Sequence, residues 1–123
     1  MGSETVRAIR GATTVDRDEA IEIIDRTNEL LSAMVAENGL RHDQIISILF
    51  TATQDLVSVF PARAARLNGF SDIPLLDAQE IPVPGSLPRC IRVMMHLTTE
   101  KSRDEMRHVY LHDAKGLRDD TPK

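Results

Sequence analysis

Residues 75–97 read L-L-D-A-Q-E-I-P-V-P-G-S-L-P-R-C-I-R-V-M-M-H-L. Two apolar runs flank a loop of prolines and a glycine, which describes two strands and a turn. Glu80 closes the first run. Arg92 stands inside the second, with Cys90 and Ile91 before it and Val93, Met94 and Met95 after it. A strand of that composition is normally buried on both faces. Burying a guanidinium costs several kcal/mol unless it is paired and hydrogen-bonded. Arg92 therefore meets an internal acid such as Glu80, or awaits an anionic ligand, or lies on an edge strand facing water.

The rest of the chain supplies one long helix, one short helix and further strands. Thr5–Val15 is β-branched and small, a first strand. Val6, Ala8 and Arg10 share one face; Arg7, Ile9 and Gly11 share the other. Asp18 is suited to cap a helix running to about Asn38, stopped by Gly39. Ala20, Ile24, Thr27, Leu31 and Met34 form its apolar stripe, widened by Ile21, Ile23, Leu30 and Val35, and Glu22, Asp25, Arg26 and Glu29 its solvated face. Ile45–Ala52 is apolar enough for a central strand. Pro61 opens a short helix over Ala62–Asn68, on which Arg63 and Arg66 share a face. Ile73–Ile81, Arg89–Thr99 and His108–Leu111 complete the strands, and Ser102–Glu105 is a capped turn. Residues 114–123 read as a mobile charged tail. The expected fold is α/β: a single domain over residues 1–123, a mixed sheet of four or five strands, and so little helix that one sheet face lacks cover. Such a face is often buried against copies of the same chain.

Composition narrows the function. The 123 residues carry a net charge of −4, no Trp, one Tyr and three Phe. Neither a basic field nor a base-stacking platform is available, which argues against nucleic acid or an anionic membrane as partner. No run approaches membrane-spanning length, Met1–Arg10 lacks an apolar signal segment, and Cys90 is the only cysteine, so a reducing cytoplasm is expected. Twelve of the fifteen basic residues are Arg, which suits bidentate recognition of carboxylate or phosphate and equally reflects codon bias.

No standard catalytic constellation stands out. Cys90, His96, His108, His112 and Asp113 are the conceivable metal ligands, but no CxxC or HExxH spacing exists, so no metal is expected. Cys90 in an apolar strand is an inert thiol. No G-x-S-x-G and no phosphate-binding G-x-x-x-x-G-K occurs. What remains is Arg10 and Arg92 in strands, Arg63 and Arg66 on a short helix, Arg118 in the tail, and Glu80 and Tyr110 at strand positions. That set suits a small dicarboxylate, with Glu80 taking a hydroxyl and Tyr110 adding a hydrogen bond. Lacking a nucleophile–base pair, it fits binding alone, or a reaction needing only positioning and electrostatics.

R-G-A-T-T-V at 10–15, T-A-T-Q-D-L at 51–56, V-F-P-A-R at 59–63, Q-E-I at 79–81, G-S-L-P-R-C-I-R-V at 85–93 and R-H-V-Y-L at 107–111 together resemble the AroH-type monofunctional chorismate mutases. The likeness spans nearly the whole chain in order. It implies a homotrimeric pseudo-α/β-barrel with active sites between subunits. It implies a cofactor-free 3,3-sigmatropic rearrangement of chorismate to prephenate in the shikimate pathway, serving phenylalanine and tyrosine synthesis.

By the same resemblance, Arg92 holds the breaking ether oxygen, Arg10 grips the enolpyruvyl carboxylate with support from Tyr110, and Glu80 accepts the ring hydroxyl. Phe60, Arg63 and Arg66 form a wall lent by a neighbouring subunit, Leu76 and Asp77 are further substrate contacts, and Arg118 helps close the cleft. Asp77 stands where the best-known members carry Cys, and Arg63 where they carry Lys. Strand parity sets residues 77 and 80 on opposite faces unless a bulge intervenes, whereas the family geometry implies that both reach the site. The alternative reading is a non-catalytic trimeric binder of a small carboxylate on the same scaffold.

Overall fold

A computed structural model describes residues 3–120, with side chains through Leu117. Strand β1 (Thr5–Thr14) leads into helix α1 (Ala20–Asn38), then β2 (Ile45–Ala52), helix α2 (Pro61–Leu67), β3 (Leu75–Gln79), β4 (Cys90–Thr99) and β5 (Val109–Tyr110). Short 3₁₀ segments cover His42–Gln44, Arg103–Glu105 and His112–Asp120. The five strands form one mixed sheet in the order β3-β2-β4-β1-β5. β4 runs antiparallel to both β1 and β2, while β3 lies parallel to β2 and β5 parallel to β1. β4 is therefore the middle strand, and β2, expected to be central, is an interior strand between β3 and β4. The third strand is shorter than Ile73–Ile81, although Glu80 N–H still bonds Ala52 O at 2.9 Å.

Both helices cover one face of the sheet. Leu30, Leu31 and Met34 of α1 pack on Ile9, Ile48, Phe50, Val93, Met95 and Leu97, and Ala62 and Ala65 of α2 extend this core, while Ile23 packs with Val15, Ala52, Leu56 and Ile91 in a second cluster. Gly11 is what brings α1 so near: a Cβ there would lie 2.5 Å from Met34 Sδ and 3.0 Å from Leu30 Cδ1. Of the expected stripe the helix buries Thr27, Leu31 and Met34, with Ile23 and Leu30 of its wider margin, while Ala20 and Ile24 are only partly buried.

The other face is largely open. Val6, Leu49 and Leu76 point from it into solvent, and along β4 the even-numbered Arg92, Met94 and His96 face it while Val93, Met95 and Leu97 face the helices. The apolar run around Arg92 is thus buried on one face only within a single chain. One end of the open face is covered by residues 112–120, where Ala114 is fully buried beside Ala12 and Cys90. The charged segment from Asp113 begins as helical turns docked on the sheet.

Two loop expectations are corrected. Asp18 does not cap α1; the cap position is Glu19, with no side-chain cap bond. The Asp18 carboxylate instead accepts N–H bonds from Val57 and Ser58, both at 3.1 Å, and ties the irregular segment 53–60 to the start of α1. Glu22 and Arg26 are not merely solvated. Glu22 accepts the backbone N–H groups of Asp16 and Arg17, and Arg26 donates to Thr14 O. They fasten the β1–α1 turn, whose backbone groups would otherwise lack partners. The stop at Gly39 matches expectation, with φ 57° and N–H bonds to the last turn.

Candidate active site

The sheet register sets one row of residues across all five strands. Tyr110 of β5 lies opposite Ala12 of β1, Ala12 opposite Arg92 of β4, Arg92 opposite Thr51 of β2, and Thr51 opposite Ala78 of β3. Side chains of paired residues share a face, so the whole row projects onto the open side. Arg10 stands two residues before Ala12 on β1, and Glu80 two residues after Ala78. Both face the same side by strand parity. The row lines a pocket of about 330 Å³, walled by Arg10, Arg92, Glu80 and Tyr110, with Leu49 and Met94 as apolar floor.

Glu80 and Arg92 meet directly. Arg92 Nε lies 3.5 Å from Glu80 Oε2, and Thr51 donates its hydroxyl to the same carboxylate oxygen. Of the two partner readings for Arg92, the internal acid is present, yet the guanidinium keeps 48% of its side chain exposed. With its Nε edge turned to Glu80, the rest of the donor fork remains available to a ligand. Thr51 had no role in the sequence reading. Its signal lay in the register, since only a β2–β4 pairing puts it beside Arg92.

The entry into β4 is built to fix the phase of Arg92. Arg89 adopts φ 46°, a left-handed conformation disfavoured for a residue with Cβ. It is held there by its N–H to the Asp55 carboxylate at 3.0 and 3.2 Å, its Nε to Val15 O, and a Val15 N–H to Arg89 O. A one-residue slip would turn Arg92 into the core. Burial pushes the adjacent Cys90 thiol above its ordinary range, with the nearby Arg92 charge only partly opposing. This is the environment of an inert cysteine.

The remaining candidates lie elsewhere in the chain. Phe60 and Asp77 line a second groove of about 550 Å³, formed by residues 56–61 and β3. Asp77 accepts the Ala62 N–H at 3.0 Å, on the α2 side of the sheet. Its carboxyl is raised above the usual range, because burial outweighs that N–H bond and the Arg66 charge. Strand parity thus holds: Asp77 and Glu80 occupy opposite faces, with no bulge in β3. Leu76, 61% exposed, lies on the open face at the sheet edge, outside the Arg92 pocket. Arg63 and Arg66 are exposed on α2. One chain therefore brings Arg10, Glu80, Arg92 and Tyr110 together, and holds Phe60, Arg63, Arg66, Leu76 and Asp77 apart from them. The side chain of Arg118 lies outside the described residues. Among the described residues, no cluster of three or more His, Cys, Asp or Glu side chains could hold a metal ion, and no helix is long and apolar enough to cross a membrane.

Chemically, the pocket offers two arginine cations, one carboxylate and one phenol around an apolar floor. Arg10 and Glu80 flank Arg92 from opposite sides of the row. An occupant with a carboxylate at one end, a hydroxyl at the other and an oxygen between them would meet a complementary group at each point.

Comparisons with known proteins agree with one another. The family model for chorismate mutase type I matches residues 6–121. A chorismate mutase AroH from Thermus thermophilus is 49% identical over 116 residues, covering 94% of this chain and 95% of that protein. The Bacillus subtilis (strain 168) chorismate mutase AroH is 45% identical over 116 residues, with 94% and 91% covered. The solved structure of a chorismate mutase from Clostridium thermocellum superposes with a TM-score of 0.89 at 53% identity, covering 90% of this chain and 99% of that one.

Proposed function

The chain belongs to the type I chorismate mutase family, and from that premise we propose that it rearranges chorismate to prephenate in the pocket around Arg92. The observation that carries the reading is the row Tyr110–Ala12–Arg92–Thr51, with Arg10 and Glu80 on either side of it.

The reaction breaks a C–O ether bond and forms a C–C bond in one concerted step, with no proton transferred and no covalent intermediate. The chain needs to do two things. It must hold the flexible enolpyruvyl arm over the ring, and it must favour the charge that develops as the C–O bond stretches. Arg10, backed by Tyr110, takes the arm's carboxylate. Glu80 accepts the ring hydroxyl at the far end. Anchoring both ends selects the compact conformer, which converts conformational entropy into rate. Arg92 sits between them and donates to the ether oxygen. That oxygen gains negative charge only toward the transition state, so the guanidinium binds the transition state more tightly than the substrate. Glu80 has a second effect, because its bond to Arg92 and to Thr51 holds the guanidinium in place before substrate arrives.

A single chain leaves this pocket open on one side. In the proposed homotrimer, a neighbouring subunit brings Phe60, Arg63, Arg66, Leu76 and Asp77 against it, and Arg118 helps close the cleft. Two features support this: the uncovered sheet face with Val6, Leu49 and Leu76, and the separation of the second residue set from the first within one chain. Asp77 then contributes its carboxyl to the hydroxyl end of a neighbour's site. No cofactor takes part, and a place in cytoplasmic aromatic amino acid biosynthesis follows from the reaction.

Proton NMR of chorismate mixed with catalytic amounts of protein tests the reading. Resonances of prephenate should replace those of chorismate. Broadened chorismate signals without conversion would instead favour the non-catalytic carboxylate-binding reading.

A further inference from the structure

We propose that His108 is a positioning residue for Arg10, holding the Arg10 backbone through a ring nitrogen that must be unprotonated to do so; this rests on the reading of Arg10 as the carboxylate-binding group.

β5 is only two residues long and pairs with β1 through Gly11–Val109 and Ala12–Tyr110. The strand ladder therefore ends just short of the outward N–H of Arg10. His108, the residue before β5, fills the gap: its Nδ1 lies 2.9 Å from Arg10 N. Nδ1 can accept that bond only with its lone pair free, so the ring proton sits on Nε2. A side chain here replaces a main-chain carbonyl and extends the sheet by one bond beneath the carboxylate-binding Arg.

His108 is itself held. Asn38, 2% exposed at the end of α1, accepts the Arg107 N–H at 2.8 Å, and its Nδ2 donates to Arg107 O and Met34 O, both at 2.9 Å. The path runs from the end of α1 through Arg107 to His108 and on to Arg10. A buried amide satisfied at both ends gives this path a single geometry.

The titratable and charged groups around the ring are arginines and one histidine. Arg7 and Arg10 come from β1, Arg103 from the 103–105 turn, and His96 from β4. Arg7, His96 and Arg103 line the cavity of about 360 Å³ that His108 also borders, and that lining carries no carboxylate. α1 contributes the neutral Asn38. Partial burial and the Arg10 charge hold the His108 ring below the ordinary histidine range. Protonation would set an Nδ1–H against the Arg10 N–H, two donors face to face, so the ring must turn away and release Arg10. The rearrangement itself moves no proton. An acid limb in substrate binding would therefore be this hydrogen bond failing.

The test pairs a spectrum with kinetics. Amide NMR is followed from about pH 8 to about pH 5, spanning histidine titration, for the wild type and for His108→Asn, whose Oδ1 can stand where Nδ1 stood and does not titrate. In the wild type the Arg10 amide resonance should move with the His108 ring titration; in His108→Asn it should stay still. With chorismate as substrate, the wild-type KM should rise as pH falls through that range while kcat changes less. His108→Asn should keep KM within about threefold of the neutral-pH value throughout. His108→Leu should raise KM roughly tenfold at every pH, the scale of one lost hydrogen bond. An Arg10 amide that ignores the ring titration would overturn the proposal, as would a His108→Asn variant that retains the wild-type acid limb. If the Leu variant does not fold, the Asn variant and the spectrum still decide. A wild type that does not convert chorismate refutes the enzyme reading, while the amide titration continues to judge the hydrogen bond by itself.

Discussion

Replacing Arg92 should separate catalysis from stability. The guanidinium is the only charged group at the centre of the row, and in the proposed reaction it is the donor to the oxygen on which charge develops. Removing one such donor costs about 2.7–4 kcal/mol of transition-state stabilisation, or roughly a 10²–10³-fold loss of kcat. The folding cost should be far smaller. The side chain is 48% exposed on the open face, and its partner Glu80 keeps a hydrogen bond from Thr51. An ion pair of that exposure contributes roughly 0–1 kcal/mol, less than about 5 °C in Tm for a domain of this size. Arg92→Ala should thus show a collapsed kcat, a modest change in KM, a near-native melting curve and an unchanged oligomer. Arg92→Lys should fall between the two, because it restores charge but not the fork that meets Glu80 and substrate together. Steady-state kinetics with chorismate and a thermal melt on the same preparations measure both quantities. A variant with kcat near normal and KM raised would refute the reasoning, since that pattern marks a group binding substrate and transition state equally.

Other perturbations probe the surroundings. Asp77→Asn keeps an oxygen for the Ala62 N–H and removes a carboxyl raised by burial. A raised carboxyl favours the fold below its unfolded value of 3.8 and loses that contribution as pH rises through its folded value. The variant should therefore melt higher than wild type at about pH 7 and equally at about pH 3; a lower melt at neutral pH would contradict this. Asp18→Ala removes the acceptor of Val57 and Ser58, so limited proteolysis should cut segment 53–60 faster, and an unchanged digestion rate would contradict the tether. Gly11→Ala forces a methyl group toward Met34 and Leu30. Because both neighbours end in flexible side chains, urea unfolding should report a loss near the low end of overpacking, about 1 kcal/mol. Light scattering should return three times the mass of one chain, and a stable monomer with full activity would refute a site shared between subunits.

Much of this was legible in the amino-acid sequence, and the exceptions have physical causes. The strands and helices announced themselves through apolar runs, Gly39 and Pro61, because those signals are local. A pairing of Arg92 with Glu80 is one of three readings open to the sequence; the structure shows the pair, although the guanidinium is half exposed rather than buried. The role of Asp18 was not anticipated. Its capping potential is a local signal, whereas its actual partners lie about forty residues away in segment 53–60. Glu22 and Arg26 looked like a solvated face for the same reason: helical spacing says nothing of the turn folded back over them. Thr51 and His108 depend on strand register, which becomes readable only when β1, β2, β4 and β5 are paired. The open sheet face was expected from the shortage of helix, whereas the exposure of the β4 face bearing Arg92 was not. A sequence read one chain at a time cannot distinguish an apolar face covered by its own helices from one left to a neighbour.

The most direct measurement is the rate of chorismate disappearance, followed through its diene absorbance, across about pH 6.5 to pH 9, with acid conversion of the product to phenylpyruvate as a check. Catalysis by positioning and a fixed guanidinium should accelerate the reaction at least about 10⁶-fold over buffer, the low end for enzymes, with kcat flat over that range because no proton moves. No acceleration would contradict the assignment of this pocket, and a bell-shaped kcat profile would replace an electrostatic mechanism with acid–base catalysis.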